Sequence, residues 1–365
     1  MTLRELRVQD FRNLALVGLG LGGVRGYFLG PNAQGKTNLL EAVGLLGALR
    51  SFRGAEPREL IRHGAAEARV WCRLEHERDG VVEVEMTVRP GAREVSINGA
   101  RCRRLAEFLG RFPVVALSSH DLQLLRGTPQ LRRRALDLAV AALDDQYFQS
   151  LRRYQAALDQ RNALLRGPRA PSPEELAAFE TQMAPEAAAI VATRAVACAE
   201  LGKYLAEAYA LIAGDHAESP RMSYAPDAQP AAMAEWLGVW AESRARDLVM
   251  KTTLRGPQRD DFTFEVKERG AKSFGSEGQQ RGLVVALRMG QAAWLRARTG
   301  IAPIVLADDV LGELDPARRA GFWQTAASAG QVLASGTSLP ADPAAWEVWE
   351  VKEGVFERST SNAQH

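Results

Sequence analysis

The sequence predicts an α/β fold built on a phosphate-binding loop. An antiparallel β component and a helical lobe with a short antiparallel coiled-coil-like arm are added to it. Three observations predict this. Gly30-Pro31-Asn32-Ala33-Gln34-Gly35-Lys36-Thr37 has the spacing of a Walker A loop. Strand-like patterns occupy both ends of the chain, and roughly 130 residues between them read as helix. The 365 residues, 46% hydrophobic and 25% charged, suit a globular protein of two lobes rather than one core. The expected divisions are 1–120 for the first half of the nucleotide-binding domain, 121–250 for an inserted helical lobe, and 251–365 for the second half.

Taken in order, Leu6-Arg7-Val8-Gln9 alternates as an edge strand does, and Val24 to Leu29 is an apolar strand ending at Gly30. Val81 to Val88 and Arg93 to Ile97 are further strands, with the turn pair Asn98-Gly99 following. From Asp121 to Met250 the pattern is helical. Tyr147, Leu151, Tyr154, Leu158 and Leu165 form a heptad seam broken only at Arg161. Gly167-Pro168-Arg169-Ala170-Pro171 stops that helix, and Ser172, Pro173 and Glu175 start the next with a capping box. Phe179, Ile190, Ala197, Leu201, Leu205 and Leu211 continue it, with a bend expected near Pro185. Residues 219–231, rich in Pro, Ala and Asp, are expected to be a loop. The strand pattern resumes at Phe262 to Val266, and the polar end after Glu357 is expected to fray.

Net charge is only +2, so bulk charge does not announce a nucleic-acid binder. Six of the 46 cationic residues are lysine and the rest arginine, which a genome-wide codon bias explains simply. Local arginine patches that grip phosphates, around Arg132-Arg133-Arg134 and Arg152-Arg153, are the functional alternative. Cys72, Cys102 and Cys198 show no metal spacing and read as reduced core residues. No apolar run approaches the ~18 residues of a membrane span. The opening Met1-Thr2-Leu3-Arg4-Glu5 has no basic-then-apolar leader, so a cytoplasmic location is expected.

A Walker A loop binds phosphate because backbone N–H groups converge on one concavity at a helix N-terminus. Lys36 reaches the outer phosphates, the Thr37 hydroxyl ligates Mg²⁺, and Asn38 opens the helix Asn38 to Val43. ATP and Mg²⁺ are therefore the expected cofactors, with Gly30 through Asn38 as the ATP-binding set. Ile304-Val305-Leu306-Ala307-Asp308-Asp309 reads as a Walker B strand, Asp308 holding the Mg²⁺ shell and Asp309 acting as the catalytic carboxylate. The 272 positions from Lys36 to Asp308 exclude small kinases and GTPases, and no Asn/Thr-Lys-x-Asp base-reading motif is present.

Between these motifs, Phe274-Gly275-Ser276-Glu277-Gly278-Gln279 precedes a helix from about Gln280 to Arg298. Ser-x-Gly-Gln here is similar to the signature motif of ABC-type ATPases. Alone it reads as a helix cap. Between Walker A and Walker B it offers a hydroxyl, a close-approach backbone and a helix dipole to a γ-phosphate. The chain's own P-loop already serves one nucleotide, so Ser276, Gly278 and Gln279 are expected to serve a second copy. Leu311-Gly312-Glu313-Leu314-Asp315 resembles the D-loop that crosses such a dimer interface. The strand Gln331 to Ala334 ends in Ser335-Gly336-Thr337, where transporter-type proteins carry a histidine. Ser335 or Thr337 is the candidate substitute as γ-phosphate sensor.

Together with Asp10-Phe11-Arg12-Asn13-Leu14, Ser51-Phe52-Arg53, Glu59 to Arg62, Gly127 to Asp137 and Gly256 to Asp261, these motifs make nearly the whole chain resemble the RecF family. That family of bacterial recombination mediators is related to the SMC and DNA-repair ABC ATPases. Gln258 departs from it, standing where the family usually has histidine, and is assigned no role. Asp309 stands where most ABC ATPases carry glutamate, though paired aspartates suit the RecF family. The resemblance implies an ABC-type head and ATP-dependent homodimerisation on DNA. It further implies binding of ssDNA, dsDNA and gapped junctions, slow ATP hydrolysis, and cooperation with RecR and RecO in loading RecA. DNA contacts are expected at Arg132, Arg133, Arg152 and Arg153. An SMC-type chromosome organiser would need far longer arms, and a transport ATPase would carry the missing histidine. A DNA clamp that binds ATP without hydrolysing it is the closest alternative.

Overall fold

The computed structural model describes residues 1–365 except 105–106, 214–217, 231, 327–328, 341 and 360–365, and the backbone alone at 313. The end expected to fray lies mostly outside the described residues. In chain order the first elements are β1 (Thr2–Phe11), β2 (Leu14–Gly20), β3 (Arg25–Leu29), α1 (Lys36–Ala48), α2 (Pro57–Leu60), β4 (Ala68–His76), β5 (Gly80–Arg89), β6 (Ala92–Ile97), β7 (Ala100–Arg101) and β8 (Val114–Ser118). Then come α3 (Gln123–Arg126), α4 (Pro129–Ala141), α5 (Asp145–Leu165), α6 (Pro173–Ala213), β9 (Pro220–Ala225), α7 (Met233–Met250), β10 (Asp261–Val266), β11 (Arg269–Gly270) and α8 (Ala271–Phe274). The last are α9 (Glu277–Thr299), β12 (Ile304–Asp308), α10 (Pro316–Ala326), β13 (Gln331–Gly336), β14 (Glu347–Lys352) and β15 (Val355–Arg358). They divide into two units: Met1–Leu122 with Tyr204–Ser219 and Gly275–His365, and Gln123–Lys203 with Pro220–Phe274.

The first unit holds two six-stranded sheets. One, ordered β2-β1-β4-β5-β6-β7, is antiparallel, and its strands alternate. In β4, Val70, Cys72 and Leu74 are buried while Arg69, Arg73 and Glu75 face solvent, as expected of a sheet covered on one side. The other, ordered β15-β14-β3-β13-β12-β8, is parallel apart from β15. Every residue of β12 and β13 is buried, which fits parallel strands covered on both faces. Leu39, Leu40, Val43 and Leu46 of α1 join residues of both sheets in one apolar cluster. Full burial of side chains such as Phe11 and Phe28 contributes about 1.5–3 kcal/mol each.

The stretch read as an edge strand is instead interior, because β2 folds back over β1 and pairs with it from Glu5↔Gly20 to Phe11↔Leu14. The connecting pair is Arg12-Asn13, with Arg12 at φ 57°. A two-residue turn normally announces itself by glycine, and here it does not. The turn at Asn98-Gly99 does carry the usual signal, with φ of 50° and 77°.

The second unit contains α3, α4, α5, α7, α8, most of α6 and a three-stranded sheet ordered β11-β10-β9. The stretch 219–231 is not all loop: β9 pairs antiparallel with β10 in register Phe262↔Tyr224, and those two rings stack at 5.1 Å. Its proline start and short length hid the strand. Helices α5 and α6 run antiparallel, tied by Arg153–Glu186 at 2.5 Å and Arg161–Glu180 at 2.8 Å. The capping box at Ser172 and Glu175 is formed, with bonds of 2.8 and 3.3 Å. Helix α6 continues through Pro185. Among the described residues, no helix is long and apolar enough to cross a membrane.

Candidate nucleotide site and signature helix

The parallel sheet brings the sequence motifs to one edge. Strands β12, β13 and β3 end together, with Asp308 opposite Ser335 and Gly336 opposite Leu29. Ligands of open α/β sheets bind at such carboxyl ends. Gly30 follows β3, and its lack of a side chain is required: a Cβ there would lie 2.4 Å from the Val351 carbonyl oxygen of β14. Gly35 has φ 109°, a conformation glycine adopts freely, and Ala33 also lies in the left-handed region at 66°. The loop is held from behind. Glu353 N donates to Gln34 Oε1 at 2.7 Å and Gly354 N to Gln34 O at 2.9 Å, so the Gln34 side chain anchors the loop to the β14–β15 turn.

Helix α1 begins at Lys36 with no side-chain cap and no acid in its first turn. Its free N–H groups and dipole favour an anion. Lys36 is 3% exposed, and its ammonium donates to Gly30 O at 2.6 Å and Pro31 O at 2.8 Å. The lysine is therefore packed within the loop rather than free on the surface. Thr37 Oγ1 donates to Asp308 Oδ1 at 2.8 Å, joining Walker A to Walker B across 271 positions. Ser335 Oγ donates to the same oxygen at 2.8 Å and accepts from Asp309 N at 3.1 Å. Ser335 thus fixes both aspartates, while Thr337 is exposed. Burial pushes the Asp308 carboxyl above its ordinary pKa, against the pull of the Ser335 and Thr37 hydroxyls, and neighbouring Asp309 adds to the rise. Asp309 is half-buried at φ 55°, a strained backbone for an aspartate.

The loop borders an open cleft of about 740 Å³, within the about 300–1,000 Å³ usual for ligand sites. Asn32, Ala33, Gly35, Lys36, Thr37, Asn38 and Asp309 line it, joined by Arg12, Asn13 and Arg53 from segments outside the loop. These last three had no role in the sequence reading, although the segments that contain them stood out. Arg12 grips the buried Glu41 of α1 with bonds of 3.0 and 3.1 Å. Asn38 donates to Asn13 at 2.7 Å and accepts from Arg53 at 3.3 Å. Only the tertiary fold brings these cations to the mouth.

Ser276 is the N-cap of α9. Its Oγ accepts from Gln279 N at 3.2 Å, and its own N–H donates to Gln279 Oε1 at 2.7 Å. The cap uses the hydroxyl as acceptor and leaves its proton to donate elsewhere. Gln279 Nε2 donates to Glu218 at 2.6 Å. Among the described residues, none of Ser276, Gly278 and Gln279 lines the P-loop cleft. Asp315 caps α10 by accepting from Arg318 N at 2.9 Å. The Arg318 amide and guanidinium hold its carboxyl below the usual range.

The arginines expected at DNA are largely engaged. Arg132 makes two bonds to Asp261, at 2.7 and 3.0 Å, with its side chain 9% exposed, so it has little surface to offer a phosphate. Arg133 donates to the Asp260 carbonyl. Arg153 is exposed but paired with Glu186. Arg152 is exposed and lies over the Phe148 ring. Gln258, assigned no role, accepts from Tyr154 OH at 2.5 Å and donates to Arg255 O at 2.9 Å inside the helical unit.

No protein-family model matches the chain. Curated relatives match along its full length. The DNA replication and repair protein RecF of Acaryochloris marina is 33% identical over 375 residues, covering 99% of this chain and 100% of that protein. RecF of Thermosynechococcus vestitus is 35% identical, covering 95% and 93%. RecF of Moorella thermoacetica is 34% identical, covering 99% and 98%. A solved structure of the recombination mediator protein RecF with ATP, from the RecFOR pathway, is similar at TM-score 0.89 and 26% identity, covering 98% of this chain and 97% of that one. An Smc head bound to the C-winged helix domain of ScpA, 15% identical at TM-score 0.56, shares the fold alone.

Proposed function

We propose the following for this chain, which belongs to the RecF family of DNA replication and repair proteins: it is an ATP-operated DNA-binding switch. It binds Mg²⁺–ATP at the Gly30–Asn38 loop, pairs with a second copy around the nucleotides, and acts at single-strand/double-strand junctions with RecO and RecR in loading RecA. The observation that carries this reading is the 2.8 Å bond from Thr37 to Asp308 beside an uncapped helix and a buried lysine. Hydroxyl, carboxylate and anion-binding helix end form the donor set that Mg²⁺ and a triphosphate need.

Each group then has a task. The α1 N–H groups and Lys36 hold the phosphates, the ammonium exchanging its loop carbonyls for phosphate oxygens. Thr37 and Asp308 hold the metal, which when bound neutralises charge on the outer phosphates. Asp309, kept at the cleft by its backbone bond to Ser335, orients water and accepts its proton. Ser276, Gly278 and Gln279 meet the γ-phosphate held by the partner copy, and Asp315 crosses with them. Among the arginines named for DNA, Arg152 is the one whose guanidinium is exposed beside an aromatic ring.

Sedimentation with and without ATP and a gapped duplex tests the proposal. ATP should convert monomer to dimer, DNA should strengthen the shift, and Ser276→Arg should bind ATP yet remain monomeric. A Ser276→Arg protein that dimerises normally would remove the signature assignment. The short carboxylate at Asp309 keeps a non-hydrolysing clamp as the second reading, which turnover measured with and without DNA separates.

A further inference from the structure

Arg318 connects two elements that the motifs treat separately. Its amide donates to Asp315 Oδ1 at 2.9 Å, and its Nη1 to Asp315 Oδ2 at 2.5 Å. The rest of the side chain lies along α9. A Cβ on Gly278 would sit 3.0 Å from Arg318 Nη1 and 3.4 Å from Cζ, and one on Gly282 3.4 Å from Nε. Residues four apart share a helix face, so these two glycines leave a channel that no side chain of α9 fills, with the Tyr209 ring 3.8 Å from the Gly282 Cβ position. The arginine occupies it with 26% of its side chain exposed.

This placement is not what electrostatics alone would choose. A cation beside the first turn of a helix meets the positive end of the dipole. Asp315 offsets that charge, and the Ser276–Gln279 capping box fixes the turn on which the guanidinium lies. The planar fork can bond a carboxylate with its edge while its face lies against glycine, which a lysine ammonium cannot do.

We propose that Arg318 is a positioning residue that clamps the D-loop to the signature turn, so that both meet the nucleotide of a second copy as one surface. This rests on the reading that the signature acts on the partner's ATP. The clamp belongs to the signature half of a composite site and leaves the chain's own P-loop untouched.

That assignment is tested by mixing variants. Arg318→Ala should bind ATP with unchanged affinity as a monomer, and its ATP-dependent association on a gapped duplex should weaken about tenfold, a typical size for a residue within a coupled element. Mixed with Lys36→Ala it should recover association, because one composite site then pairs a sound P-loop with a sound signature. Mixed with Ser276→Arg it should recover nothing, because both proteins lack the same half. The pair Ser276→Arg with Lys36→Ala is the control. If that pair fails to associate, the trans-site reading falls and takes this inference with it. If the control works but Arg318→Ala associates like the unmodified protein, or complements Ser276→Arg, the clamp is overturned. Arg318→Lys, which keeps charge without the plane, carries the same test should the alanine variant not fold. It should show a smaller loss with the same pattern of complementation.

Discussion

Lys36 does two jobs at once, since its buried ammonium holds the Gly30 and Pro31 carbonyls. Lys36→Ala should cost about 2–5 kcal/mol of ATP affinity. It should also lose about 1–3 kcal/mol of stability from the two unsatisfied carbonyls. Calorimetric titration and thermal melts read the two separately, and unchanged affinity in a folded variant would remove the lysine from its assigned role. Asp308 carries a charge that the fold resists. Its folded pKa is raised, so below the ordinary carboxylate range it is protonated whether folded or unfolded. As pH rises through the raised value, it must ionise while buried, and stability is lost. Asp308→Asn keeps an oxygen for both hydroxyls and removes that charge. It should be more stable than the unmodified protein by about 0.5–2 kcal/mol at pH 7, with the gap closing on acidification. The same variant should lose Mg²⁺-dependent nucleotide binding, whereas Asp309→Asn should bind ATP and prolong the dimer. Matching behaviour of the two would reject the division between metal holding and water activation.

At the scale of elements, the α5–α6 arm holds a charge where a heptad seam would place an apolar residue. Arg161 is fully buried, bonded to Glu180 at 2.8 Å, Asp247 at 2.9 Å and Thr253 at 2.7 Å. It ties α5 to α6, to α7 and to the segment after it. Removing one partner of a buried ion network strands the others without water. Arg161→Ala should therefore destabilise the helical unit by about 3–5 kcal/mol, read by denaturant titration. A loss under about 1 kcal/mol would mean that water reaches the cluster. The P-loop shows the same dependence between elements. It is fixed by the β14–β15 turn through Gln34, although more than 300 residues separate them.

For the whole molecule, the near-neutral net charge leaves the proposed DNA affinity to local cations. If those cations contact phosphates, log affinity should fall linearly with log salt, at a slope of about −0.7 to −0.9 per neutralised phosphate. A flat response, or strong preference for one sequence, would point to base reading instead. Arg132→Ala should leave that slope unchanged and cost folding stability, because its guanidinium is already spent on Asp261. Arg152→Ala is the variant expected to lower the slope, by about one phosphate contact.

The sequence by itself determined the glycine-bounded loop between β3 and α1, the buried strand ending in Asp308-Asp309, the capped start of α6 and the alternation of strands beside clear turns. Each is a local signal: a glycine where the backbone needs one, a cap within four residues, or a hydrophobic period along one element. It also placed Ser276 at a helix start, where capping and signature chemistry ask for the same residue type. What only the tertiary structure decided depends on residues distant in sequence. β1 became interior because β2 turned on Arg12-Asn13 without a glycine. Arg132 was withdrawn from the surface by an aspartate 129 positions away. Arg12 and Arg53 reached the nucleotide cleft, and Ser335 became the bridge between two aspartates. A charged side chain's role is set by which opposite charge the fold brings within bonding distance, and no period or spacing along the chain encodes that.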